Sequence, residues 1–585
     1  MRLRTWWCTF VTWSLVGCGV QEETAGSGPP LEAEESLSRA CGPAQVNEVT
    51  TLLPPDRQWQ SPVSLEPRPE SLTEVQGTLY FRVEEHAGDA TLWKSDGTAA
   101  GTVALARLPA PGGAAPEQRL THFTPVGAKL FLQVFQPETG RELWASDGSP
   151  SGTRLLGDLT PGSDGSTLSD LGALNGALSF FRHAPGGIEL WRSDGTPSGT
   201  DRLLRVAAAT ALTPGQTLRS AAELRLFFLH EDSAKRLRLW RTDGTARGTR
   251  PVQAFAADAS VEHAHEQGGA MLFFVREPAA GRFRLWRTDG TLTGTTPLRE
   301  LGAGASIAHG LLLNDERFFL VHEPGQKGLR LWGTDGTTQG TRLVTHLEGT
   351  GGSHIAGHHL QDGTALLRVV VPGAGTEIWR TDGTREGTRR VGAIDASATV
   401  LGFTGTAAVW LQRHAHAPRL EVWRMDLATG LHERLAALTN PHEGLEGAFP
   451  SIQRVAQAGG RFYVTQSIYA PWGPAIIDVR LWVTDGTVEG TRELSTELSM
   501  STDHHSALFD TGTGQLMFDT RSGLSITDGT VEGTVPLTSS SPNAPSFPGP
   551  FLRLGDTVYF SALAGNPGFT LWSYPVGSTC GRAAR

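Results

Sequence analysis

The chain has 585 residues, of which 71 are glycine and 35 proline, while only 19% are charged. Such a composition suits many short strands joined by tight turns and leaves little room for long solvated helices. A formal net charge of -10 excludes a nucleic-acid partner held by electrostatics, because that needs a basic excess or a dense basic stripe.

Arg2 and Arg4 precede an apolar stretch from Trp6 to Val16. It is too short to span a bilayer as a mature helix and has the size of a signal-peptide core. The stretch ends in Leu15-Val16-Gly17-Cys18, which resembles the bacterial lipobox, although Val16 is bulkier than the alanine or serine common there. That resemblance implies cleavage after residue 17 and a diacylglycerol on the Cys18 thiol. Residues 19–40 contain five glutamates and no aromatic residue, so they bury too little apolar surface to offset the entropy of ordering. The expected division is a signal peptide at 1–17, a flexible acidic tether at 18–40 and a repeat domain at 41–585. A coil of that length spans on the order of 25 Å. The expected address is an exported lipoprotein of a bacterial envelope, at the outer membrane or cell surface, with the membrane as a partner through the anchor.

From there a repeat dominates. Leu-Trp or a close variant recurs with tryptophan at Trp93, Trp144, Trp191, Trp240, Trp286, Trp332, Trp379, Trp423, Trp482 and Trp572, and an eleventh unit carries Ser525 in that place. Spacings run from 43 to 59 residues. Adjacent large apolar residues on a strand point to opposite faces, so both faces must be covered. The blades of a β-propeller meet that condition, since each small sheet lies between two neighbours. The repeated tryptophans therefore read as core.

After most of these tryptophans comes Asp-Gly-Thr-x-x-Gly-Thr, a hairpin loop by its chemistry: aspartate bonds its own downstream backbone and glycine takes positive φ. In the eighth unit Asp426 stands in Met425-Asp426-Leu427-Ala428, a different turn. Calcium at these aspartates is a minor reading, because each loop offers one carboxylate and the ion wants six to eight oxygens. No other cofactor is expected.

The strand signals give four strands per blade, as in Leu168–Leu171, Leu178–Phe181, Ile188–Trp191 and Thr200–Leu204. The last blade then lacks its fourth strand, while Val49–Leu53 is an orphan near the start. The orphan is expected to complete the last blade and remove exposed sheet edges. Cys41 and Cys580 flank the first and last strands, and an oxidising compartment would let them form a disulfide. The expected fold is all-β, one large ring of about 10–11 blades, with two smaller propellers as the alternative.

The runs LWRSDGTPSGT (190–200), LWRTDGTARGT (239–249) and IWRTDGTREGT (378–388) are similar to the ELWxxDGT repeat family of exported bacterial proteins. Copies cover nearly all of 45–577. The resemblance implies a secreted or surface repeat protein and transfers no settled activity.

Function is therefore sought where the repeat fails. The longest unit, between Trp423 and Trp482, has extra length at Asn440–Pro450 and Ser467–Ile477. His442, Phe449, Tyr469 and Trp472 lie there, aromatic anchors for a protein or glycan ligand. A binding scaffold is the leading function, and a propeller enzyme acting on envelope or extracellular glycans is the alternative. No catalytic residue stands out. The histidine pairs His263/His265, His358/His359, His414/His416 and His504/His505 lack a shared repeat register and read as scattered surface or hydrogen-bonded side chains, with no metal site assigned. The basic run of Lys235, Arg236, Arg238, Arg241, Arg247, Arg250, Arg282, Arg284 and Arg287 reads as a solvated, partly ion-paired face.

Overall fold

A computed structural model describes residues 45–50 and 68–576, apart from 85–88, 110–117, 208–217, 221–222, 232–235, 303, 326–327, 348–353, 414–418, 471–472, 474, 497, 499–507, 540–544 and 564–568. Cys18, Cys41, Trp472, Cys580, Lys235, both cysteine-flanking segments, and the pairs His414/His416 and His504/His505 lie outside the described residues.

Among those residues the chain forms eleven blades of four antiparallel strands each, and in the last sheet a fifth, two-residue strand, Thr538–Ser539, pairs parallel with Gln45–Thr50. Blade 1 comprises Glu70–Val75, Thr78–Glu84, Ala90–Ser95 and Val103–Leu108. Blades 2 to 10 begin at Leu120, Thr167, Leu218, Ser260, Ser306, His354, Thr399, Phe449 and Leu508. Blade 11 comprises Phe551–Leu554, Thr557–Leu563, Phe569–Pro575 and Gln45–Thr50. First strands of neighbouring blades touch one another, so they line the ring axis, and fourth strands lie outermost.

The ring is closed by the N-terminal strand. Asn47 pairs with Ser573, Glu48 with Trp572 and Thr50 with Leu571 in antiparallel register. The strand is described over Gln45–Thr50, so it begins four residues before the expected Val49; Thr51, Leu52 and Leu53 fall outside the described residues. Val49 is buried with Leu79 and Phe81 of blade 1 and Tyr559 and Leu571 of blade 11. That cluster is one of eleven, each straddling one pair of adjacent blades, including the pair formed by the last and the first. One continuous ring follows, and the alternative of two smaller propellers is excluded.

The Leu-Trp step explains how neighbours adhere. Leu92 packs toward blade 2 and Trp93 toward blade 11; Leu143 and Trp191 meet in the gap between blades 2 and 3. The tryptophan ring also stacks on the aromatic residue opposite it in the second strand, as in Phe81–Trp93 at 6.3 Å and Phe273–Trp286 at 6.5 Å. A register shift falls between Leu and Trp against the fourth strand in blade after blade. The bulge sharpens the twist there.

The Asp-Gly-Thr loop is a closed hydrogen-bond unit. In blade 6, Thr337 donates its N–H and its hydroxyl to Asp335 Oδ1 at 2.8 and 2.7 Å. Gly340 N–H then donates to Thr337 Oγ1 at 2.9 Å, and Thr341 Oγ1 donates to Thr337 O at 2.6 Å. Those bonds from Thr337 hold the Asp335 carboxyl below its ordinary range. Gly336 has φ +86, the left-handed turn position. The second glycine has a different cause: a Cβ on Gly340 would lie 2.1 Å from Asp335 Oδ1. Gly340→Ala is therefore expected to expel the carboxylate and cost about 2 kcal/mol in charge-assisted hydrogen bonds. Denaturant midpoints would check this in wild-type and Asp335→Ala backgrounds; equal costs in both would refute the carboxylate as the cause.

Two arginines of the basic run, and one in the next blade, meet glutamates that follow or end the second strand. Arg238 meets Glu231 at 3.2 Å, and Arg284 and Arg330 meet Glu277 and Glu323. In three blades where glutamate instead precedes the Leu-Trp step or its variant, the arginine comes from the fourth strand: Arg202–Glu189, Arg390–Glu377 and Arg434–Glu421 at 2.8–3.0 Å. The third-strand position thus exchanges its charge, and its partner moves from the second strand to the fourth.

Candidate ligand site at the channel mouth

Antiparallel blades give the ring two unlike ends. Turns between first and second strands share one end with the Asp-Gly-Thr loops. Connections between second and third strands, and those from blade to blade, share the other. The first end is tight and locked from blade to blade: Asn175 Nδ2 donates to Asp243 O at 2.8 Å, and Gln267 Nε2 donates to Asp315 O at 2.8 Å. The second, the connector end, carries the longer irregular segments.

First strands begin at the connector end, and there a cavity of about 520 Å³ opens. Arg68, Glu70 and Ser71 of blade 1, Arg454 of blade 9, Leu508 and Phe509 of blade 10, and Pro548 to Phe551 entering blade 11 line it. Its volume falls in the range of small-molecule and cofactor sites. The floor is aromatic: Phe509 stacks on Phe551 at 4.8 Å and 13°, and Phe551 on Phe560 at 5.4 Å. The rim is polar. Arg68 lies 4.6 Å over the ring of Phe569, and burial pushes its guanidinium below the ordinary value while Glu70 raises it. Glu70 Oε2 accepts from Arg82 Nη2 at 2.8 Å. The site thus joins a flat apolar surface to hydrogen-bonding groups of both charges.

The sequence candidates lie at the same end. Phe449 opens the inner strand of blade 9 that supplies Arg454 to the cavity. It faces Tyr469 across the hairpin, the two rings stacked 5.2 Å apart at 11°, and Phe449 remains 44% exposed. His442 sits in the turn before this strand, with Nε2 3.8 Å from Asp478 Oδ2, which also takes Arg480 Nε at 3.0 Å. Phe509, Phe551, Arg68 and Arg454 were missed because they come from four blades. The one local signal is the proline and glycine run at Pro545–Pro550, where the repeat spacing is filled by irregular chain.

Two of the histidine pairs, with His309, lie on neighbouring inner strands. His263 and His265 lie on the inner strand of blade 5, His309 on that of blade 6, and His358 and His359 on that of blade 7. His309 Nε2 and His358 Nδ1 are 2.7 Å apart. Burial lowers His265 to about 4, helped by Arg317, His263 and His309. Burial likewise lowers His309 to about 4, helped by His358 and His263. Among the described residues no three histidine, cysteine, aspartate or glutamate side chains form a metal-binding set.

The fold defines the protein as an eleven-bladed β-propeller. No protein-family model matches the chain, and no curated protein matches it. Solved structures share only broad likeness. A study of two prolyl endopeptidases matches at 12% identity and TM-score 0.30, over 70% of this chain and 55% of that one. The crystal structure of puromycin hydrolase matches at 17% identity and TM-score 0.24, over 70% and 61%. That of the eukaryotic initiation factor matches at 13% identity and TM-score 0.35, over 66% and 92%. This chain therefore spans little more than half the length of the peptidases it matches.

Proposed function

We propose that this protein is a lipid-anchored envelope scaffold that binds an extracellular or envelope ligand at the connector end of its propeller. In this reading residues 1–17 export the chain, Cys18 carries the lipid and 18–40 tether the ring; the resemblance to the ELWxxDGT repeat family implies the export alone. A disulfide between Cys41 and Cys580 fits the closure: Asn47 pairs with Ser573, so both ends of the chain leave blade 11 side by side.

The observation that carries the binding role is the open, aromatic-floored cavity at the channel mouth, with Phe449, on the inner strand of blade 9 that also supplies Arg454, stacked on Tyr469 of the next strand. A ligand with one apolar face and a hydrogen-bonding edge, as a sugar ring presents, suits such a surface. Two flat rings already stacked lose little conformational entropy when a third plane is added.

The test is capture of glycans and envelope proteins by the detergent-solubilised mature chain, compared with a Phe449→Ala/Tyr469→Ala variant and a Phe509→Ala variant. Loss of capture by at least tenfold in either variant, with unchanged melting, supports the site. Undiminished capture in both would remove it. Turnover of a glycan without stable capture would replace the scaffold by the enzymatic reading.

A further inference from the structure

The two ends of the ring differ in a second way. Among the described residues eleven large apolar side chains are exposed, and only Leu445 and Phe449 lie at the connector end. The rest gather at the Asp-Gly-Thr end. Leu292, Val488 and Val531 occupy loop tips at 67%, 47% and 54% exposure, and Leu431 takes the equivalent tip in blade 8 at 71%. Leu312 and Leu360 end inner strands beside the same mouth of the channel. Single exposed aliphatics need no explanation, but a one-sided distribution does.

The chain path points to the same end independently. Third strands run toward the Asp-Gly-Thr loops, and Gln45–Thr50 is antiparallel to the third strand of blade 11. Its first residue therefore lies at that end. Leu431, Val488 and Val531 belong to blades 8, 9 and 10, the run of blades that leads into blade 11.

We infer that the Asp-Gly-Thr end of the propeller seats on a lipid bilayer surface, with the channel mouth and its ligand site turned away from the membrane. This rests on the anchored reading above, since a tether leaving from that end holds it within reach of the headgroups. Leucine and valine tips enter the interface by a few ångströms, on the order of the 5–10 Å known for interfacial apolar faces. Each contributes little alone; the tips of blades 5, 8, 9 and 10 together set orientation, and the anchor supplies affinity.

Photo-crosslinking of the full-length lipoprotein, reconstituted in phosphatidylethanolamine and phosphatidylglycerol vesicles, tests it. A photoreactive residue is placed singly at 431, 488, 531, 445 or 449. Lipid adducts from the first three positions, and several-fold fewer from 445 and 449, are expected. Equal yields at both ends, or the reverse order, overturn the orientation. The mass of the N-terminal peptide is read in the same samples: a Cys18 without diacylglycerol sinks the anchored reading, whichever end the adducts favour. A Leu431→Glu/Val488→Glu/Val531→Glu variant, folded by its melting curve, is expected to lose the difference between the two ends.

Discussion

Replacing Trp572 by alanine is expected to destabilise the ring by roughly 3–5 kcal/mol, the cost of emptying a fully buried aromatic site. Trp572 is 0% exposed, stacks on Phe560 at 6.5 Å and donates its indole N–H to Ala562 O at 3.3 Å. It packs in the seam between blades 10 and 11, and the third strand that carries it is the one the N-terminal strand must pair with. Trp93 takes the same repeat position but is partly exposed, so Trp93→Ala is expected to cost less, in proportion to the apolar area removed from water. Guanidinium unfolding midpoints of the two variants compare them directly. Equal losses would contradict burial as the source of the difference.

The second large effect is on pH dependence, where two sites act with opposite signs. Asp519 is buried with Oδ1 lacking a hydrogen-bond partner, and burial pushes its carboxyl up to about 7. A raised carboxyl pKa means the folded state binds the extra proton. Its contribution is present below the unfolded value near 4 and is lost as pH rises through 7. Above that, the charge must sit desolvated, at about 2–4 kcal/mol. Asp519→Asn is therefore expected to raise the melting temperature above pH 7 and to change little near pH 4. The histidine cluster does the reverse. His265 and His309, held at about 4, leave the unfolded chain with more protons between 6.5 and 4. Stability is fully present above 6.5 and falls as pH drops through 4, by roughly 3 kcal/mol for each group. His265→Gln and His309→Gln should flatten the acid limb without moving the alkaline one. Melting curves across pH for the wild type and these three variants test both signs, and an unchanged alkaline limb in Asp519→Asn would show that Asp519 finds a partner in solution.

The repeat was legible because its parts are local. Leu beside Trp on a strand demands cover on both faces, and Asp-Gly-Thr writes its turn in adjacent residues. Four strands per blade, and an N-terminal strand completing the last blade, followed from strand periodicity and from one strand too few at the end. The reason for the second glycine was not legible, since it answers to a carboxylate folded back across five residues. Phe449 could be singled out as an aromatic outside the repeat. Its stacking on Tyr469 and its strand's share in the cavity could not.

By itself the sequence determined the blade, since hydrophobic alternation and turn chemistry act over a few residues and repeat with the unit. The tertiary structure decided what depends on residues far apart in the chain. Closure into one ring of eleven rests on Val49 packing with Leu79 and Tyr559. The cavity needs side chains from blades 1, 9, 10 and 11, and the histidine cluster needs three inner strands side by side. These are long-range juxtapositions, set by the shape of the ring and not by any local pattern.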